Sequence, residues 1–145
     1  MIRLLLVDSS GLLCDRLMTV LSHEPDLQIV DCVTTVRQAV QRINDCGLTI
    51  ISANLPNDDA YAYVRAAHLI QPEIKILVVG QAEPKSMVIR YIEVGASGYV
   101  YTDDPIEQLL AHIRAAARGE ALLAPDLASA LIARLAEWAM SWEMS

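Results

Sequence analysis

The sequence has no apolar run long enough to cross a membrane and no export signal at its start. A spanning helix needs about 20 consecutive apolar residues, whereas the opening MIRLLLVDSS is far shorter and lacks a small-residue cleavage site. Charged residues are also few, at 20% of the chain against an apolar share of 54%. This composition excludes a disordered chain, and 145 residues are enough to bury a substantial core. We therefore expect a compact cytoplasmic domain with no membrane contact.

Basic residues and cysteines are both scarce, and each scarcity excludes a kind of site. The chain has 11 Lys and Arg against 18 Asp and Glu, a net charge of −7, and no basic cluster. This balance argues against nucleic-acid binding by this segment. Cys14, Cys32 and Cys46 are an odd number at irregular spacing, which fits neither a disulfide framework nor a zinc site. We expect reduced thiols that pack as small buried apolar side chains.

Apolar runs alternate with amphipathic segments along the chain. Continuous apolar runs are typical of parallel strands covered on both faces, and leucines spaced by four predict helices between them. The predicted strands are IRLLLV, LQIVDCV, LTIISA, IKILVV and GYVY. Five strand–helix units of this size predict a doubly wound, three-layer α/β domain with right-handed crossovers.

Polar residues at the starts of two predicted helices are candidate caps. Ser9 or Ser10 precedes the first helix, and Asp58 or Asp59 precedes the third. Serine and aspartate side chains commonly accept hydrogen bonds from the free N–H groups of a first helical turn. We expect one residue of each pair to cap its helix.

Five residues follow the predicted strands at the end where doubly wound sheets form their functional crevice. Because the carboxyl ends of parallel strands lie at one edge of the sheet, we expect these residues to form one site. They are Asp8, Ser9, Ser52, Gly80 and Thr102.

Four motifs carry a resemblance to a known family. They are LLLVDSS at the start, LPNDDA after the third strand, VGASGYVYTDD around the fifth strand, and RGEALLAP after the fifth helix. With these motifs the chain resembles, over residues 2–125, the receiver domains of two-component response regulators of the LuxR (NarL/FixJ) type. The resemblance implies a flavodoxin-like, five-stranded parallel sheet of order 2-1-3-4-5, followed here by an additional C-terminal helix.

The resemblance also implies a phosphorylation pocket, most of which this sequence lacks. In receivers two adjacent acids and an acceptor aspartate hold Mg²⁺, while a Thr or Ser and a Lys bind the phosphoryl oxygens. Only the first acid is kept, as Asp8. The other four positions are substituted, by Ser9, Ser52, Gly80 and Thr102. Because serine cannot form the acyl phosphate of this family, we expect a degenerate pocket with no metal and no cofactor.

The family's rotating aromatic is kept as Tyr99. Without phosphorylation we expect its ring either to be held in one rotamer or merely to pack.

Other chemistry at these residues has less support. A nucleophilic Ser52 needs a histidine base, but all three histidines lie on predicted helices and no G-x-S-x-G motif is present. We therefore expect no enzymatic activity. Asp8 is expected to accept hydrogen bonds from nearby backbone N–H groups. Asp58 and Asp59 fit helix caps better than replacement phosphoacceptors.

The last 21 residues form a separate predicted helix, so the sequence divides into a receiver-like domain, 1–124, and a C-terminal helix, 125–145. The helix has one apolar stripe, made of Leu127, Leu131, Leu135, Trp138 and Trp142. It is a sixth helix packed on its own domain, a linker to a following domain, or a dimerisation helix. In the last case the contacts are expected from Leu131, Leu135, Trp138 and Trp142.

These observations predict an atypical receiver that signals by protein–protein contact, as a homodimer, without aspartyl phosphorylation. A receiver that senses a small ligand in its emptied pocket is the alternative. Besides a second copy of the chain, the candidate partners are a regulatory protein and a small ligand. A receiver with an unusual acceptor is the third interpretation. Receivers of this type control DNA through a helix-turn-helix domain, and no second, basic helix is visible after Pro125.

Overall fold

The computed structural model describes residues 1–144, and the side chains of residues 1–142. Five strands alternate with helices, and a long helix ends the described chain. The elements are β1 (Ile2–Val7), α1 (Leu12–Leu21), β2 (Leu27–Val33), α2 (Val36–Arg42), β3 (Leu48–Ser52), α3 (Asp59–Ile70), β4 (Lys75–Gly80), α4 (Lys85–Glu93), β5 (Gly98–Tyr101), α5 (Ile106–Ala117) and α6 (Pro125–Met144). The strands form one parallel sheet in the order β2-β1-β3-β4-β5, so the predicted fold class and strand order are confirmed.

Neighbouring residues of each strand point to opposite faces of the sheet. Helices cover both faces, so each face forms its own core. Leu5 and Val7 of β1 belong to one core, which the buried faces of α2, α3 and α4 complete. Leu4 and Leu6 belong to the other core, which α1 and α5 complete. The result is the expected three-layer domain, with the carboxyl ends of β1, β3, β4 and β5 along one edge.

The helix-cap predictions are confirmed in part. Asp58 is the N-cap of α3, as predicted, but its backbone is in the left-handed region at φ 59° and its side chain makes no capping bond. The N-cap position of α1 is Gly11, at φ 73°, and not Ser9 or Ser10. The Ser10 hydroxyl nevertheless accepts a hydrogen bond from a first-turn N–H of α1, that of Leu12, and Asp8 accepts one from the Leu13 N–H.

The prediction of three reduced cysteines is also wrong. Cys14 of α1 and Cys32 of β2 form a disulfide with their Cα atoms 6.0 Å apart. Only Cys46 is a free, buried thiol, as expected. A separation of 18 residues gives no sequence signal for this pair, because the contact exists only once α1 has packed beside β2.

Helix α6 is half packed and half exposed. Leu127 is 1% exposed and belongs to the core beneath α4, and Leu131 packs against that core. Two ion pairs join α6 to the two ends of α4: Lys85 Nζ to Asp126 at 2.9 Å and Arg134 Nε to Glu93 at 3.0 Å. Residues 132–142 are all exposed. Within residues 1–144, no helix is long and apolar enough to span a bilayer.

Candidate functional site

An open cleft of about 470 Å³ lies at the carboxyl edge of the sheet. Four of the five predicted pocket residues line it: Asp8, Ser9, Ser52 and Thr102. Gly80, the fifth, is buried and does not reach the cleft. The fold therefore brings the predicted residues to one edge, but not all to one surface.

Asp8 is the single carboxylate among the lining residues, and its oxygens are occupied by the chain itself. It is only 8% exposed. The Leu13 N–H and the Ser10 hydroxyl each donate to Oδ2 at 2.9 Å, and the Ser10 N–H lies 3.4 Å from Oδ1. Asp8 thus does what the sequence predicts: it accepts backbone hydrogen bonds, and it holds the first turn of α1.

Ser52 is the last residue of β3 and is 8% exposed. Its Oγ accepts a hydrogen bond from the Asn54 N–H at 3.2 Å, which closes a short turn after the strand. No histidine lines the cleft beside it. The geometry offers neither an acyl-phosphate acceptor nor an activated nucleophile at this position.

Gly80 and Tyr99 form the most constrained contact of the site. The Tyr99 ring is buried, 5% exposed, and its hydroxyl donates to the Gln81 carbonyl at 2.8 Å. A Cβ at Gly80 would collide with the Tyr99 hydroxyl and would lie 2.8 Å from the Ala53 Cβ. The ring therefore occupies the space in which a threonine or serine side chain would stand. Burial raises the pKa of Tyr99 to about 12 and so keeps the phenol protonated.

Thr102 stands where the family has its lysine, and it supplies no positive charge. Its N–H donates to the Gly80 carbonyl at 2.8 Å, and the residue is exposed at the rim. The nearest lysine in sequence, Lys85, points elsewhere. Its ammonium group contacts Glu83 at 2.8 Å and Asp126 at 2.9 Å, and these two carboxylates raise its pKa.

Among the described residues, no group of three His, Cys, Asp or Glu side chains is placed to hold a metal ion. A divalent ion in the cleft would meet the Asp8 carboxylate and hydroxyl groups. Mg²⁺ binds through hard oxygen ligands whose negative charge offsets its own, and one carboxylate compensates only half of that charge.

Six lining residues were not predicted from the sequence, and three of them are polar or charged. Ser10, Arg16 and Asn54 all face the cleft. Ser10 and Asn54 each lie two residues past a predicted site residue, Asp8 and Ser52, so the turn after each strand was the available signal. Arg16 had no signal, since its position depends on the pitch of α1 against the sheet.

The candidate dimerisation residues do not form one surface. Leu131 packs against the core of its own domain. The candidate dimerisation residues that remain exposed are Leu135, Trp138 and Trp142. These are 60%, 44% and 83% exposed, respectively. Asp58, considered as an unusual phosphoacceptor, pairs with Arg90 at 2.9 Å and does not line the cleft.

Known sequences similar to this chain are transcriptional and response regulators. No protein-family model matches it. It is 25% identical over 137 residues to the DNA-binding transcriptional activator DevR/DosR of Mycobacterium tuberculosis, covering 93% of this chain and 63% of that protein. It is 19% identical over 134 residues to the oxygen regulatory protein NreC of Staphylococcus carnosus, covering 90% and 61%. The chain thus spans about three fifths of the length of these curated relatives.

A solved structure of a response regulator has the same fold as this chain. A two-component response regulator of the LuxR family from Aurantimonas sp. SI85-9A1 superposes with a TM-score of 0.80 at 20% identity, over 88% of this chain and 93% of that one. This chain has the receiver fold of response regulators. The cleft at the strand ends is where the resemblance places a receiver's phosphorylation pocket, and the contact between Tyr99 and Gly80 lies beside it.

Proposed function

We propose that this chain is an atypical receiver that works in signal transduction by protein–protein contact and does not use aspartyl phosphorylation. One observation carries the proposal: Asp8 is the only carboxylate in the cleft, and the Tyr99 ring fills the space over Gly80. A single carboxylate leaves neither an acceptor aspartate nor a full set of Mg²⁺ ligands. Glycine at position 80 supplies no hydroxyl to bind a phosphoryl oxygen, and the Tyr99 ring occupies the space where that side chain would stand.

The cleft lacks an acceptor carboxylate at position 52 and the family's lysine at position 102. A receiver forms an acyl phosphate on a carboxylate, and Ser52 has none. Phosphoryl transfer needs positioned positive charge around the transferred oxygens. Asp8 alone holds Mg²⁺ weakly, and the neutral Thr102 stands where the family's lysine would be.

Tyr99 is held in one buried position, which bears on whether the chain can switch. In a switching receiver a ligand shifts a balance between two states, and it can do so only by its differential affinity for them. Because residue 80 is glycine, no side chain at that position occupies the space of the buried Tyr99 ring. The hydroxyl bond to Gln81 and the burial of the ring favour the same position. The balance is therefore set by the sequence.

The contact surface in this proposal is the exposed half of α6, through which two copies pair. Leu135 and Trp138 continue the stripe that Leu127 begins, on one face of the helix. Leu127 is buried by its own domain, whereas Leu135 and Trp138 lie beyond the Arg134–Glu93 ion pair and are exposed. Large apolar side chains in a row are typical of interaction surfaces. Output then passes, in the cytoplasm, to an attached helix-turn-helix DNA-binding domain. The relative DevR/DosR, described as DNA-binding, is longer than this chain and supports that route.

Phosphorylation is tested by treating the chain with acetyl phosphate and Mg²⁺ and measuring its intact mass. We expect no added phosphoryl group. The triple variant Ser9→Asp, Ser52→Asp, Thr102→Lys restores the family's charges and serves as the positive control. Mg²⁺-dependent phosphorylation of the unaltered chain would overturn the proposal.

Dimerisation is tested by sedimentation velocity over a range of concentrations. We expect a dimer that Trp138→Glu converts to a monomer. Ala136→Glu adds the same charge at an exposed position on the opposite face of α6 and should leave the dimer intact. A wild-type chain that stays monomeric at all concentrations, or equal effects of the two variants, would rule out this surface.

A second candidate function is the sensing of a small ligand, which the size of the cleft favours. Pockets for small molecules commonly have volumes of about 300–1,000 Å³, and the cleft falls in that range. Thermal melts against a panel of small polar metabolites test it, since a ligand that binds the folded state raises the Tm. A rise in Tm that the Ser52→Leu substitution abolishes would support ligand sensing. If no ligand raises the Tm, protein–protein contact is left as the function.

A further inference from the structure

The Cys14–Cys32 disulfide joins the first turn of α1 to the edge strand of the sheet. Its Cα atoms are 6.0 Å apart and 18 residues apart in sequence. Cys32 is paired in register with Leu6 of β1, two residues before Asp8. Both cysteines are half-buried and lie at the margin of the core that α1 and α5 complete.

The third cysteine does not compete for reaction at this bond. Cys46 is 5% exposed, and its Sγ contacts the Ile43 carbonyl at 3.5 Å. Burial raises the pKa of its thiol, which disfavours the reactive thiolate. Reaction with a small disulfide is therefore directed to Cys14 and Cys32.

We propose that Cys14 and Cys32 form a reversible thiol–disulfide exchange site that takes a low-molecular-weight thiol and its disulfide, such as reduced and oxidised glutathione, as reactants. In the oxidising direction one cysteine thiolate attacks the small disulfide, which gives a mixed disulfide and releases one small thiolate. The second cysteine thiolate then attacks the protein sulfur of the mixed disulfide and releases the second. Two cysteine thiols are oxidised, one small disulfide is reduced to two thiols, and the two protons go to the released thiolates.

The site matters because of what the bond holds in place. Ser9, Ser10, Leu12 and Leu13 line one wall of the cleft, and hydrogen bonds from Ser10 and Leu13 to Asp8 hold that wall. The disulfide at Cys14, the next residue, ties the same turn covalently to β2. Reduction removes this covalent tie and leaves the wall held by its hydrogen bonds to Asp8 and by the packing of Leu13 on the core. The inference goes beyond the proposed function and does not depend on it, since exchange can occur whether or not the chain is phosphorylated.

The exchange is tested on the full chain in buffers of varied glutathione ratio, quenched with N-ethylmaleimide and analysed by mass. We expect Cys14 and Cys32 to lose alkylation together in a single transition, while Cys46 reacts only after denaturation. Cys46→Ser is the matched control and should leave the transition unchanged. Alkylation of both Cys14 and Cys32 in fully oxidised buffer would overturn the proposal, and so would a bond that survives excess reduced glutathione in the native state.

The effect on the cleft wall is tested by amide hydrogen exchange and by melting. In the reduced wild type we expect faster exchange at the Leu13 amide and a Tm lower by about 10 °C, the size expected for opening a cross-linked loop of this length. Cys14→Ser should match the reduced state. Because the wild-type protein can be measured in both redox states, the test does not depend on the variant folding. Equal exchange in the two states would refute the role of the bond in holding the wall.

Discussion

Replacing Gly80 by alanine tests the contact on which the fixed state of Tyr99 depends. The added Cβ would collide with the Tyr99 hydroxyl, lie 3.1 Å from the ring carbon Cζ and lie 2.8 Å from the Ala53 Cβ. Gly80 does not have a positive φ, so alanine adds no backbone strain and the effect is steric alone. The buried tyrosine must then move out, together with its hydrogen bond to Gln81.

The magnitude follows from what is lost. Exposing a large buried side chain costs about 2 kcal/mol, and losing a neutral hydrogen bond costs about 1 kcal/mol. We therefore expect Gly80→Ala to lower the free energy of unfolding by about 3 kcal/mol, or the Tm by roughly 10 °C. Urea unfolding followed by circular dichroism measures this. The tryptophans lie on α6, so their fluorescence would not report on the core.

Two further variants separate the steric effect from a general cost of adding a methyl group. Gly47→Ala is the matched control, because nothing lies within 4 Å of a Cβ there and its φ is not positive. We expect a change of at most about 0.5 kcal/mol. In Tyr99→Ala the ring is absent, so adding Gly80→Ala should cost far less than it does in the wild type. A Gly80→Ala protein as stable as the wild type, with Tyr99 still buried, would refute the reasoning.

Three other predictions concern the core, the α1 turn and alkaline pH. Leu127→Ala should cost about 3 kcal/mol in urea unfolding, whereas Ile132→Ala, at a position of α6 that is 67% exposed and off the stripe, should cost under about 0.5 kcal/mol. Equal costs would mean that α6 is not docked as described. Asp8→Ala should cost about 1–2 kcal/mol, because the Leu13 N–H in the first turn of α1 and the Ser10 hydroxyl lose their acceptor. A neutral effect would contradict that role. Burial raises the pKa of Tyr63 and Tyr99 from 10.0 to about 12. The stability this provides is fully present below pH 10 and is lost as pH rises from 10 to 12, because the unfolded state ionises first. A titration of tyrosine absorbance with a single midpoint at 10 would contradict it.

The sheet was predictable from the sequence because its signal is local. The apolar run Ile2–Val7 marks a strand buried on both faces, and the structure has this strand and Leu27–Val33 with the predicted bounds. The hydrogen-bonding role of Asp8 followed in the same way, from its place after a buried strand. The strand order itself came from the family resemblance.

Features that depend on tertiary contacts were not predictable. The Cys14–Cys32 bond depends on how α1 sits against β2, and the left-handed turns at Gly11 and Asp58 leave both N-cap positions without a side-chain bond. Gly80 was interpreted only as a missing hydroxyl. That its lack of a side chain makes room for Tyr99 is visible only once β4 and β5 are paired. Similarly, the apolar stripe of α6 does not indicate which of its residues pack against their own domain and which are exposed. The division of the chain at residue 124 stays a prediction.

The most direct test of the central claim is a thermal melt with and without Mg²⁺ and beryllofluoride, the mimic of an aspartyl phosphate. A receiver with a working pocket gains about 2.7 kcal/mol when the ligand is present at a hundred times its Kd, which raises the Tm by several degrees. We expect no change in Tm for this chain and a rise for the Ser9→Asp, Ser52→Asp, Thr102→Lys variant. A rise in the unaltered chain that grows with beryllofluoride concentration would show that its cleft still does the chemistry of the family.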